Sequence, residues 1–131
     1  MRKLDVTSAL IASAAFLSAI TGSAHHSIAP FNSDVERTVE GEVIEFEWTN
    51  PHTWTWLRVE NTDGSTTTWG LEGMSPNYLG RRGWTKNSLA SGDRIAVLIF
   101  PLKSGEPGGI FLRATNEDGS EQIMWNRRAG Q

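Results

Sequence analysis

Read as a string of apolar and polar positions, the chain changes character early. From Val6 to Ile20 apolar and small residues run together without a charge. From Thr38 onward, short stretches alternate between apolar and polar, the period-2 signature of half-buried strands. In the first of these, Val39, Gly41 and Val43 alternate with Glu40, Glu42 and Ile44, and the run continues through Phe46 and Trp48 to the turn signal Asn50-Pro51. Gly41 inside it predicts a bulge or a sharp bend. A second strand is expected over residues 52–60. Thr53, Thr55, Leu57 and Val59 point one way, while His52, Trp54, Trp56, Arg58 and Glu60 point the other. Leu57 and Val59 mark the core side. Asn61-Thr62-Asp63-Gly64 is a hairpin turn, after which a third strand over residues 65–72 buries Trp69 and Leu71 and exposes Thr66, Thr68 and Glu72.

The alternation then breaks. Ser75 followed by Pro76 is a helix start, with a capping hydroxyl and proline at the first helical position, and Gly80 and Gly83 end a short helix. Residues 85–92 connect, with Leu89 as an apolar anchor. A fourth strand is expected over residues 94–102, a Gly/Pro-containing loop over 103–109, and a fifth strand over 110–116. After the turn Glu117-Asp118-Gly119, Ile123, Met124 and Trp125 extend the sheet or pack its end. Three strands in a meander, a short helix and two more strands make an all-β chain in the order of the OB-fold, a five-stranded barrel whose helix lies between strands three and four. A small β-sandwich is the competing architecture, but an immunoglobulin-like one wants about seven strands and a Cys-Trp-Cys pattern, and the chain has no cysteine.

The first 24 residues have the layout of a secretory leader: Arg2 and Lys3, the apolar run, then Gly22 and Ala24 at the two small-residue positions before a cleavage site. The expected organisation is a signal peptide over 1–24, an N-terminal arm over 25–37, one domain over 38–125 and a tail over 126–131. The expected destination is periplasmic or secreted, with no stable membrane span after processing. An anchor that stays attached is the alternative. Losing Arg2, Lys3 and Asp5 leaves 10 basic and 14 acidic residues, a net charge of -4. That balance argues against nucleic acid as a partner, since such affinity rests on neutralising phosphates. A small molecule or another periplasmic protein is the expected partner.

Three groups of residues carry candidate chemistry. The histidines are His25, His26 and His52. Cleavage after Ala24 gives His25 a free α-amine beside its imidazole; with a second imidazole from His52, at the rim of the barrel, this makes the tetragonal nitrogen set that Cu(II) favours. His26 or Glu47 would lie nearby. The plainer reading leaves His25 and His26 as polar residues behind a leader and His52 as a turn residue. The second group is aromatic. Trp54 and Trp56 share the non-core face with Arg58, near Asn50, where OB-folds stack ligands; alternatively these rings only fill a small barrel that lacks disulfides. The third group is Glu40, Glu42, Glu45, Glu47 and Glu72. Paired acids can hydrolyse glycosides, but alternating glutamates are more often a solvated face that guards against edge pairing. No nucleophile elbow or phosphate-cradling loop is present. A non-enzymatic binding module is the leading expectation, and a copper protein the runner-up.

The stretches AHHS at Ala24 to Ser27, EGEVIEFEWTNPHTW at Glu40 to Trp54, WGLEGMSPNYLGRRGW at Trp69 to Trp84, and LASGDRI followed by GGIFLRA resemble a family of small exported bacterial proteins known only as a domain of unknown function, family 6152. The resemblance spans nearly the whole chain after the leader. It implies export and a single domain and transfers no catalytic residue. The positions it singles out are His25, His26, Asn50, Pro51, His52, Glu72, Asn77, Arg82 and Trp84, several of them polar where core packing alone would not call for polarity.

Overall fold

The computed structural model describes residues 28–126. In chain order these form β1 (Arg37–Glu47), β2 (Trp54–Glu60), β3 (Thr66–Glu72), α1 (Pro76–Gly80), β4 (Arg94–Pro101), β5 (Gly108–Asn116) and β6 (Glu121–Ile123). The long first strand serves two partners. Residues 37–42 pair antiparallel with β4, and residues 42–47 pair antiparallel with β2. β2 continues into β3, β4 into β5, and a parallel contact between β3 and β5 (Gly70 opposite Gly108, Glu72 opposite Ile110) closes the ring. The result is the expected closed five-stranded OB-like barrel with its helix between the third and fourth strands, and β6 added outside on β5.

The predicted alternation sets the interior. Val39, Val43, Leu57, Trp69, Leu71, Val97, Ile99 and Phe111 fill one core, with Thr53 and Thr55 buried on the same side of the second strand. The irregularity expected at Gly41 falls two residues later, between Val43 and Glu45. It shifts the parity of β1, so that Phe46 turns inward to the core while Glu45 and Glu47 stay on the outer side. Gly41 serves another purpose. A Cβ there would sit 2.7 Å from the Arg58 carbonyl oxygen, so only glycine lets the two strands approach this closely. The fifth strand begins at Gly108, earlier than its apolar run suggests, because the parallel seam with β3 recruits Gly108 and Gly109.

Both ends of the described segment dock on the barrel. A second apolar cluster of Phe100, Ile110 and Leu112 lies on the outer side of β4 and β5 under Phe31 and Trp125. β4 alternates without a break, with Ile99 facing the core and Phe100 the outside, while the irregularity opposite Leu98 and Ile99 gives β5 one extra residue, so that Leu112 and Arg113 both face outward. Residues 28–36 are tied down by Asn32 N–H to Pro101 O (2.8 Å) and by Lys103 N–H to Pro30 O (2.9 Å). At the other end Ile123 extends the sheet as the last residue of β6, Met124 is fully buried in the core and Trp125 covers the outer cluster. Ser75 caps α1 as expected, its Oγ accepting from Tyr78 N–H at 3.2 Å. Leu89 and Trp84 are buried, and the Trp84 indole donates to Ile123 O at 3.0 Å. No helix among the described residues is long and apolar enough to cross a membrane.

The two hairpin turns at Asn61–Ser65 and Asn116–Ser120 share the pattern Asn-x-Asp-Gly-Ser and the same bonds. In each, Asp Oδ1 accepts from the serine N–H and from its hydroxyl, the latter at 2.6 Å, while the asparagine side-chain amide donates to the same serine. These bonds, first the one from the serine hydroxyl, hold the Asp63 and Asp118 carboxyls below the ordinary carboxylate range.

Candidate functional site

The turn that joins β1 to β2 projects His52 over the barrel rim. Thr49 Oγ1 donates to His52 O at 3.1 Å within this turn, and the Asn50–Pro51 peptide bond is cis. His52 shares the outward face of the second strand with Trp54, and the ladder sets Trp54 opposite Glu72, the last residue of β3. The imidazole and the carboxylate therefore converge: His52 Nδ1 lies 2.5 Å from Glu72 Oε1, and the two side chains are 14% and 25% exposed. With Nδ1 turned toward a carboxylate, that nitrogen is engaged by Glu72 and is not open to a further ligand.

The pair opens into a cleft of about 450 Å³. Its walls come from distant parts of the chain: Phe31 from the N-terminal arm, Met74 and Tyr78 from the β3–α1 corner, Ile110 from β5 and Trp125 from beyond β6. A largely apolar cleft of this size with one or two convergent polar groups has the build of a small-molecule site. Beside Tyr78, Arg82 places its guanidinium 3.6 Å from the ring centroid and donates to Tyr78 O at 3.2 Å, fixing that ring.

On the other side of Glu72 the sheet carries the tryptophan ledge. Trp54 and Trp56 are half-buried on the outer face, as predicted, with ring centroids 5.8 Å apart and planes 15° from parallel. The Trp56 indole donates to Glu47 Oε1 at 2.6 Å, and its ring lies over Gly70, where a Cβ would meet Trp56 Cζ3 at 2.7 Å. Arg58 is exposed and pairs with Glu42 at 3.1 Å. Surface pairs of this kind contribute little.

The sequence-predicted candidates thus divide. Trp54, Trp56 and Arg58 form one surface with Glu47, and His52 belongs to the cleft beside it. Glu47 and Glu72 stand opposite Trp54 on its two neighbouring strands, so two strand spacings of about 5 Å each separate them. Asn50 is exposed in the turn. His25 and His26 lie outside the described residues. Among the described residues no three His, Cys, Asp or Glu side chains gather into a metal-holding group. The residues that sequence reasoning misses are the cleft walls and the pairing role of Glu72, which the alternation of β3 assigns to solvent. A signal for Glu72 is nonetheless present. Counting outward from the Asp63 hairpin tip places Trp54 opposite Glu72, and His52 is two residues from Trp54 on the same face.

A family model described as a family of unknown function (DUF6152) matches residues 12–124. No curated protein and no solved structure matches the chain.

Proposed function

The chain belongs to that family of unknown function, which supplies no activity, and from its own geometry we propose that it is an exported, non-enzymatic binding module whose ligand enters the cleft at the His52–Glu72 rim. The observation that carries this reading is the sheltered imidazole–carboxylate pair at the mouth of an apolar cleft. Apolar walls favour an apolar body, while the two polar groups orient it. The Trp54/Trp56 ledge, which meets the rim at Glu72, offers a stacking surface for a part of the ligand that projects from the cleft. Export rests on the leader-like residues 1–24, and mass spectrometry of the protein recovered from its cells would report the new N-terminus.

The decisive experiment follows the Met74 methyl signal by NMR while sugars, short peptides, aromatic acids and amines are titrated in. A saturable shift that disappears in His52→Ala and persists in Arg58→Ala supports the cleft. A ligand that binds equally to both variants but is lost in Trp54→Ala would move the site to the ledge. No response from any ligand class would end the reading.

A copper site is the second reading, and one feature of the rim favours it. A carboxylate behind an imidazole Nδ1 is the arrangement that orients metal-binding histidines. Ile28, three residues after His25, lines the same cleft as His52. Processing after Ala24 would bring the His25 amine and imidazole, with His26, to the start of that arm, and His52 would complete a nitrogen set suited to Cu(II). The test titrates Cu(II) into the processed protein and into a form carrying one extra N-terminal residue. Tight binding confined to the first supports the site; equal, weak binding to both removes it.

A further inference from the structure

We propose, building on the cleft reading above, that the preferred occupant is a small alkylated ammonium cation rather than a neutral or anionic molecule. The lining sets this chemistry. Three aromatic side chains, Phe31, Tyr78 and Trp125, face the cleft together with the Met74 thioether and Ile110. Among the described lining residues Glu72 supplies the one carboxylate, and neither lysine nor arginine contributes to the wall. An anion would meet Glu72 with neither a lysine nor an arginine in the wall to offset it, and the His52 Nδ1 is already turned toward that carboxylate. A neutral apolar ligand would fit the walls but leave that carboxylate stripped of water with only the imidazole beside it.

A cation coated in methyl or methylene groups satisfies both demands. Its surface is apolar, so it sheds water at low cost. Its charge is attracted to Glu72 and to the negative faces of aromatic rings, the mode by which aromatic cages hold quaternary ammonium groups. A bare ammonium or an alkali ion is more strongly hydrated and gains less from such walls. Arg82, which is not part of the wall, already rests on the Tyr78 ring, which shows that this ring accepts a cation. His52 adds no competing donor toward the ligand from Nδ1, since that nitrogen is directed at Glu72.

The experiment compares choline with its uncharged isostere, 3,3-dimethylbutan-1-ol, using the Met74 methyl shift and tryptophan fluorescence on the protein as purified from the cells that make it. Choline is expected to bind about tenfold more tightly than the isostere, as one cation–π contact combined with a partly sheltered charge pair allows. Glu72→Gln should abolish that preference and Glu72→Asp, which keeps the charge, should retain it. The pair of variants separates lost charge from lost fold. Equal binding of the two probes, with no effect of Glu72→Gln, overturns the cation preference and leaves the cleft reading standing. Failure of both probes to move Met74 also overturns it, and the broader ligand panel described above then decides the cleft on its own.

Discussion

His52 Nδ1 and Glu72 Oε1 lie 2.5 Å apart although one belongs to the turn before β2 and the other ends β3. The β2–β3 register brings them together: Trp54 faces Glu72, and His52 sits one same-face step beyond. In the neutral imidazole this contact selects the tautomer with its proton on Nδ1. Glu72→Gln replaces a charged acceptor with an amide that can present either oxygen or nitrogen. The expected outcome is a mixed tautomer population in the variant against one dominant form in the parent, read from imidazole nitrogen chemical shifts at a pH where the ring is neutral. Identical nitrogen shifts in both proteins would show that Glu72 does not orient the ring.

Thr53 and Thr55 are buried on the same face, but their hydroxyls fare differently. Thr53 Oγ1 donates to Met74 O at 3.0 Å, whereas Thr55 Oγ1 is buried with no hydrogen-bond partner among the described residues. Replacing an unpaired buried hydroxyl with a methyl of similar size removes a desolvation cost, while removing a paired one leaves its partner wanting. Thr55→Val is therefore expected to raise stability by about 1 kcal/mol, and Thr53→Val to lower it by about 1–2 kcal/mol. Urea midpoints at unchanged m-value measure both. Equal losses in the two variants would contradict this assignment.

The Trp56 ring occupies the space that a side chain at position 70 would need, with Cζ3 2.7 Å from where a Cβ would stand. Gly70→Ala must push the ring aside and with it the indole that donates to Glu47. Overpacking of this kind costs about 1–3 kcal/mol. The variant should show a lowered urea midpoint together with red-shifted tryptophan emission. A stability loss without any change in emission would mean that the backbone, and not Trp56, yields.

Much of this architecture is legible in the chain because its signals are local. Alternation over residues 53–59 sets the core face of β2, Ser75-Pro76 sets the helix start, and the Asn-x-Asp-Gly-Ser turns set the hairpins. The bend expected at Gly41 is displaced to Val43–Glu45 because β1 changes partner from β4 to β2, and the parity shift belongs to that handover rather than to one glycine. The cleft is illegible for a related reason. Phe31 and Trp125 reach it from opposite ends of the chain, and no periodicity within either segment records that the outer face of β4 and β5 is apolar and needs covering. The unbroken apolar run Ile110-Phe111-Leu112 is the available clue, since a strand apolar on both faces must be covered on both.

The twin turns make acid sensitivity predictable in sign. Asp63 and Asp118 are ionised more readily in the folded protein than in the unfolded chain, chiefly because the Ser65 and Ser120 hydroxyls donate to the carboxylates, with the serine backbone N–H groups adding to this. A carboxyl whose folded value is depressed gives stability that is fully present above its unfolded value and is lost as pH falls through its folded value. Both groups are exposed, so salt and solvent reduce the effect without changing its direction. The substitutions Asp63→Asn and Asp118→Asn keep an oxygen that accepts from the serine but remove the titration. The double variant should be less stable than its parent near neutral pH. Its urea midpoint should fall less steeply between about pH 5 and pH 2, so the two curves converge on acidification. Parallel curves across that range would mean that the turn carboxylates contribute nothing to the linkage, and the acid response would then have to come from other carboxylates of the barrel.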